Sequence, residues 1–367
     1  MISNTIKTNS EAITSYTFFS EILPKANKCI EDGVHNRVVF DFSTAKSISA
    51  LMIPNLMCLA VNLRANSIIP DLIVPSPLTS KKSDVVGFLY RTGFFDISEK
   101  YGIFEIDHRL IGDIELYNSN NKVMFYECRP KNKEGCFHHE FREAFPSNYD
   151  SNYSTLNKEQ SDSDERWKEL SAMLGELAWN SIYHGESFSI VSCSKAYGIA
   201  YASVSDMGEG LYLSINKKIK KNNFGTFENI DDKDVLISPH IEKCIFDLMK
   251  RAVHKPENKQ LYAIISSIIF RLDYHYKRPY FGIFSVFHNV LSKGGIIRIH
   301  SNDTQVVFTK KHFDKGYFQN PNNDIENINQ ILKLADELAN EKSNIRRHKH
   351  LPGVHYEIEF PLKKELS

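Results

Sequence analysis

Glu176-Leu-Ala-Trp-Asn180-Ser-Ile-Tyr-His184-Gly185 sets a carboxylate, an amide and an imidazole four residues apart. In an α-helix each step of four advances only about 40° around the axis, so the three side chains share one face. Trp179 and Ile182 then point elsewhere, toward a core. A polar stripe on an otherwise apolar helix is costly to bury unless it meets ligand, water or metal. An Asn carbonyl oxygen suits a hard cation such as Mg²⁺, which takes a few protein oxygens beside phosphate and water. Glu176, on the same face, can polarise a water or hydroxyl that attacks a phosphate.

Further along, Ile190 to Val204 reads as a β-hairpin, and Ser205-Asp206-Met-Gly208-Glu-Gly210 follows it. A buried Asp just past a strand can accept a hydrogen bond from an amino group such as that of adenine, while two glycines permit a tight backbone approach. Either piece alone is a weak signal, and a D-x-G-x-G occurs by chance in many turns. In this order, with the hairpin between, they resemble the N box and first glycine box of the GHKL (Bergerat-fold) ATPase superfamily. The match is closest to the anti-sigma-factor serine kinase branch, whose helix reads E-x-x-x-N-x-x-x-H-G and whose turn reads D-x-G-x-G. The resemblance implies ATP and Mg²⁺ as cofactors. By it, Asn180 would coordinate Mg²⁺, Asp206 would recognise the adenine amino group, and Gly208 and Gly210 would shape the pocket. His184 would lie near the phosphates or the pocket wall, and Glu176 would be the catalytic base.

The other boxes of that family are degraded here. Its second glycine box, G-x-G-L, opens a helix whose N–H groups face the phosphates. The corresponding run is Tyr280-Phe281-Gly282-Ile283, so Gly282 alone is left to serve that turn. Leu351-Pro-Gly353-Val354 stands where the family has Gly-Thr, and Val354 has no hydroxyl to offer the base or its water. Between the glycine boxes, Lys217, Lys218, Lys220 and Lys221 precede Asn222-Asn-Phe-Gly225, in the interval of the family's mobile lid. A basic loop there can neutralise phosphate, or it is a solvated charged loop. Lys277 and Arg278, immediately before the second glycine box, are better placed for phosphate.

Toward the N-terminus, Asn36-Arg-Val-Val-Phe-Asp-Phe42 predicts a buried strand, and Ser49 to Ala65 a helix with Pro54 in its first turn. Asp71 to Pro75 reads as another strand and Asp84 to Thr92 as another helix, which completes a β-α-β-α unit. Over residues 30 to 100 this pattern resembles a STAS domain, the fold of anti-sigma-factor antagonists. In that family a Ser or Thr near the start of the helix can be phosphorylated, and Ser47 and Ser49 stand near that place. A short hydroxyl there serves equally as a helix cap.

These readings predict a mixture of α/β and α+β structure in two domains: a STAS-like regulatory domain over 1–145, a linker over 146–166, and a Bergerat-type α/β sandwich over 167–367. In the second, helices cover one face of a sheet with strands at 296–300, 305–308 and 356–360, and 324–347 is an inserted amphipathic helix. A chain of 367 residues, 42% hydrophobic, suits two domains. Lys plus Arg matches Asp plus Glu at 45 each, so no net field steers the protein to nucleic acid or an anionic membrane. No apolar run approaches the roughly 18 residues of a membrane span, and the expected location is the cytoplasm. The six cysteines have no paired spacing, as in a reducing compartment. Cys128, Cys136, His138 and His139 carry zinc-type ligands, but their spacing matches no common finger, and a polar loop is the simpler reading.

The function expected is Mg²⁺-ATP binding with hydrolysis, or transfer of the γ-phosphate to a protein hydroxyl. The alternative is a non-catalytic switch, in which nucleotide orders a protein interface. A protein partner or substrate is expected in either case, and the resemblance also suggests a homodimer.

Overall fold

The computed structural model describes residues 4–34, 36–75, 84–106, 122–130, 133–146, 158–220, 239–269, 282–319, 324–341 and 344–363. It is a mixed α/β structure with one parallel and one antiparallel main sheet.

The N-terminal unit begins with strands β1 (Thr5–Lys7) and β2 (Ala12–Ile13) and helices α1 (Ser15–Thr17) and α2 (Leu23–Glu31), the helices joined by a π-helical turn, Phe18–Ile22. Strands β3 (Asn36–Asp41) and β4 (Ser47–Ile48) follow, then helix α3 (Ile53–Ala65), strand β5 (Ile68–Ile73), helices α4 (Asp84–Arg91) and α5 (Phe94–Lys100), and strand β6 (Glu105–Ile106). β1, β3, β5 and β6 pair in parallel in that order, which the crossover through α3 requires. Ser49 caps the short 3-10 turn that leads into α3, its hydroxyl accepting from the Leu51 N–H at 3.3 Å. Every residue of α3 from Ile53 to Ala60 is buried. A helix buried all round must have packing on two sides, and α3 contacts β5 on one side and strands of the second sheet on the other.

That second sheet receives β7 (Lys122–Tyr126), and α6 (Glu134–Ala144) and α7 (Lys158–His184) come next. The hairpin β8 (Ser189–Ala196) and β9 (Ile199–Asp206) leads to helices α8 (Leu211–Lys220), α9 (Pro239–His254), α10 (Lys259–Ile269) and α11 (Ile283–Ser292). The chain then forms β10 (Ile296–Thr309), α12 (Lys310–Asp314), α13 (Asp324–Asn340) and β11 (Ile345–Pro361). The strand order is β10-β11-β9-β8-β7, antiparallel throughout.

Alternation along these strands sends Val191, Ala202, Val204, Ile299 and Ile358 into one core with Trp179 and Leu177 of α7, Ile264 of α10 and Phe287 of α11. Each fully buried aromatic or aliphatic side chain of that kind contributes about 1.5–3 kcal/mol. The opposite face presents Ser192, Ser203, Ser205, His355 and Glu357, all buried. The expected sandwich has helices on one face only, but here α2 and α3 of the N-terminal unit cover the other.

Several boundaries differ from those the sequence predicts. β7 pairs with β8 in the second sheet, and α6 packs on α7 with Phe137 against Trp179 at 5.3 Å between ring centroids. Both precede the linker expected at 146–166. Met124 and Tyr126 on one face of β7 and Val123 on the other feed two different cores, which is why this edge strand belongs to the sheet. The two strands expected at 296–300 and 305–308 are one, β10, with register shifts around Asn302 that absorb a polar stretch. Likewise β11 runs back to Ile345, so the helix expected over 324–347 ends at Asn340. Among the described residues no helix is long and apolar enough to cross a membrane.

Candidate functional site

A cleft of about 740 Å³, its open mouth included, lies between the second sheet and its helices. Asn180 and Gly185 at the end of α7 line it, together with Asp206 at the end of β9, Gly210, one face of α8, Ile283 at the start of α11, and Val354 and Tyr356 of β11. Asn180, Asp206 and Gly210, 30 positions apart in sequence at most, thus face one space.

Asp206 is 2% exposed. Its Oδ1 accepts from the Gly208 N–H at 2.9 Å and the Val354 N–H at 3.2 Å. Burial pushes its pKa up to about 6, against the opposing pull of those two N–H groups and the Ser181 hydroxyl. The two backbone donors hold one oxygen of the carboxyl group, and Asp206 lines the cleft. Val354 therefore does act on Asp206, through its backbone N–H, although it has no hydroxyl. The chain can approach this closely only because residue 353 is glycine. Gly353 has φ +96°, and a Cβ there would stand 2.0 Å from the Asp206 carbonyl oxygen.

The helix end is tied together differently from the sequence expectation. Glu176 is 1% exposed, and its Oε1 accepts from Asn180 Nδ2 at 3.1 Å and from the Gly282 N–H at 3.2 Å. The carboxylate is thus a strut between α7 and the first turn of α11, and it is not part of the cleft wall. Because the Asn180 amide donates to Glu176, its carbonyl oxygen is the atom left to face the cleft. Gly208 sits against Gly185, where a Cβ would meet the Gly185 carbonyl oxygen at 2.8 Å. Gly282 caps the start of α11. His184 closes α7, and its side chain, like Lys277 and Tyr280, lies outside the described residues.

Sequence reasoning missed much of the wall. The stretch after Gly210 is a helix, α8, which sends Leu211, Ser214, Ile215 and Lys218 to the cleft. Their spacing of three, one and three is that of one helical face, a signal present in the sequence. Lys217 instead pairs with Glu209 at the surface. Tyr356, Ser181 and Ser267 complete the wall. Burial and the nearby Asp206 charge raise the Tyr356 pKa, so its phenol stays protonated.

Cys136, His138 and His139 lie on α6, and Cys128 is exposed just before it. Among the described residues no group of three His, Cys, Asp or Glu side chains is arranged to hold a metal ion. All six cysteines are free thiols. No family model, curated protein or solved structure matches the chain.

Proposed function

We propose that the second sheet and its helices form a Mg²⁺-ATP-binding domain of the GHKL type, joined to a STAS-like regulatory unit in a cytoplasmic signalling protein. The observation that carries this reading is that Asn180 and Asp206, the two residues whose roles differ most in the motif resemblance, line one cleft. In this reading the Asp206 carboxyl group accepts a hydrogen bond from the adenine amino group. Val354, Ile215, Ile283 and Tyr356 enclose the ring with apolar surface. Lys218 and the first N–H groups of α11 face the phosphates.

The donor set fits a magnesium ion sparingly. Asn180 offers one neutral oxygen, and Mg²⁺ commonly takes one or two protein oxygens with phosphate and water for the rest. When bound, the ion would neutralise phosphate charge. In the catalytic reading the γ-phosphoryl group would pass from ADP to water or to a protein hydroxyl, and Glu176, hydrogen-bonded to the cleft residue Asn180, would take the proton of that nucleophile. A second reading, the non-catalytic switch, is favoured by the burial of Glu176 and its two hydrogen bonds, which hold it off the cleft. Nucleotide binding is common to both.

Calorimetry with ATP and Mg²⁺ on wild type and Asn180→Ala tests the shared claim. Binding by wild type that weakens sharply in the variant is the expected result, and no binding by wild type removes the proposal. Release of labelled γ-phosphate in wild type and Glu176→Ala separates the two readings. A base contributes about 10²–10⁴-fold to rate, so equal release would take Glu176 out of that role.

A further inference from the structure

Behind the Asp206 turn, on the face of the sheet away from the cleft, a polar chain is buried between the two units. Asn55 of α3 is fully buried in a helix whose neighbours Ile53, Leu56, Met57, Leu59 and Ala60 are apolar. Its Nδ2 donates to Glu357 Oε1 at 3.1 Å, and its Oδ1 accepts from the Ser205 hydroxyl at 2.8 Å. Ser15, also of the N-terminal unit, donates to the same Glu357 oxygen at 2.6 Å. One helical turn on from Asn55, the Cys58 thiol donates to the Asp206 carbonyl oxygen at 3.7 Å.

The placement of these contacts is informative. Ser205 and Asp206 are consecutive, and strand alternation sends the Ser205 side chain to α3 and the Asp206 side chain to the cleft. The Asp206 carbonyl oxygen lies between the Cys58 thiol on one side and the close backbone of Gly353 on the other. A buried amide with both ends satisfied by the other unit fixes the register of docking, since slipping it would strand polar groups in an apolar seam. Two residues of α3 therefore hold the peptide whose side chain lines the cleft.

We infer that Asn55 and Cys58 are positioning residues for the nucleotide site, so that docking of the N-terminal unit and nucleotide binding strengthen each other. This rests on the Mg²⁺-ATP reading of the cleft. The coupling is reciprocal: whatever factor the docked unit adds to nucleotide affinity, nucleotide adds to docking. Coupling of this kind is commonly worth about 5- to 150-fold.

Two measurements on the full chain test it. In the first, ATP and GTP affinities are measured by calorimetry for wild type, Asn55→Ala and Ser205→Ala at a temperature where all three are folded. The expected result is that either variant weakens ATP at least about fivefold and narrows the preference for ATP over GTP, because a displaced Asp206 reads the base less well. A purely structural role would lower stability and leave that preference intact. The second needs no variant: alkylation of the buried Cys58 thiol, resolved from the other cysteines by mass spectrometry, with and without saturating Mg²⁺-ATP. Nucleotide should slow labelling by a similar factor. If wild type binds ATP but the preference and the labelling rate both stay unchanged, the coupling is overturned and the nucleotide reading stands. If wild type binds no nucleotide, both fall together.

Discussion

Replacing Asp206 with asparagine should stabilise the fold while weakening its hold on ATP. The Asp206 carboxyl is buried and its pKa is raised from 3.8 to about 6. A carboxyl raised on folding binds its proton more tightly in the native state. The native state is therefore unpenalised below pH 3.8, loses stability as pH climbs toward about 6, and carries the whole penalty above that value. At about 1.4 kcal/mol per pH unit the penalty is about 3 kcal/mol at pH 7.5. The amide side chain introduced by Asp206→Asn keeps a carbonyl oxygen for the Gly208 and Val354 N–H groups and carries no charge. Urea unfolding at pH 7.5 should place Asp206→Asn above wild type by up to about 3 kcal/mol, with the advantage shrinking toward zero near pH 4. The same substitution loses a charged acceptor for the adenine amino group, a loss of about 1.5–3 kcal/mol, or roughly ten- to a hundredfold in ATP affinity. A stability difference of the same size at every pH, or a variant less stable than wild type at pH 7.5, would refute the reasoning.

Three further outcomes follow from named contacts. Gly353→Ala forces a Cβ onto the Asp206 carbonyl oxygen at positive φ and should cost at least about 2 kcal/mol, read by denaturant unfolding; a variant as stable as wild type contradicts the close approach. Ser49→Ala should lose about 1 kcal/mol and Ser49→Asp should recover most of it, as expected of a cap; an Asp variant much worse than the Ala one would argue against capping. Burial and the neighbouring His355, His348 and His350 push the His300 pKa well down, and both its ring nitrogens are buried without a partner among the described residues. The folded form resists protonation more than the unfolded form does, so as pH falls below about 6.5 wild type should lose more stability than His300→Leu, read by urea unfolding. Parallel pH profiles of the two proteins would rule this out.

What could be read from the chain alone follows the range of each signal. The Glu176-Asn180-His184 face and the Asp206-Gly208-Gly210 turn are local patterns, and one helix or one strand end displays them whole. Val354 reaches Asp206 from 148 positions away, through the pairing of β11 with β9, and no local pattern carries that register. Glu176 reads as a cleft-facing base from its helical position, but the hydrogen bond from Gly282, 106 positions on, turns it into a strut. The docking of the two units left one trace that periodicity could have caught. A helix with a single buried face shows a polar stripe, whereas Ile53 to Ala60 is apolar nearly all round and so calls for a second packing layer. Serines 192, 203 and 205 carry no such trace, because small polar side chains suit water as well as the tight polar seam in which they are buried.

The most direct measurement is a crystal structure with a non-hydrolysable ATP analogue and Mn²⁺, the ion located by its anomalous signal. The adenine amino group should lie on the Asp206 carboxyl group, with Mn²⁺ against the Asn180 carbonyl oxygen and the phosphates. A nucleotide bound outside this cleft, or one whose base and metal avoid both residues, would contradict the assignment.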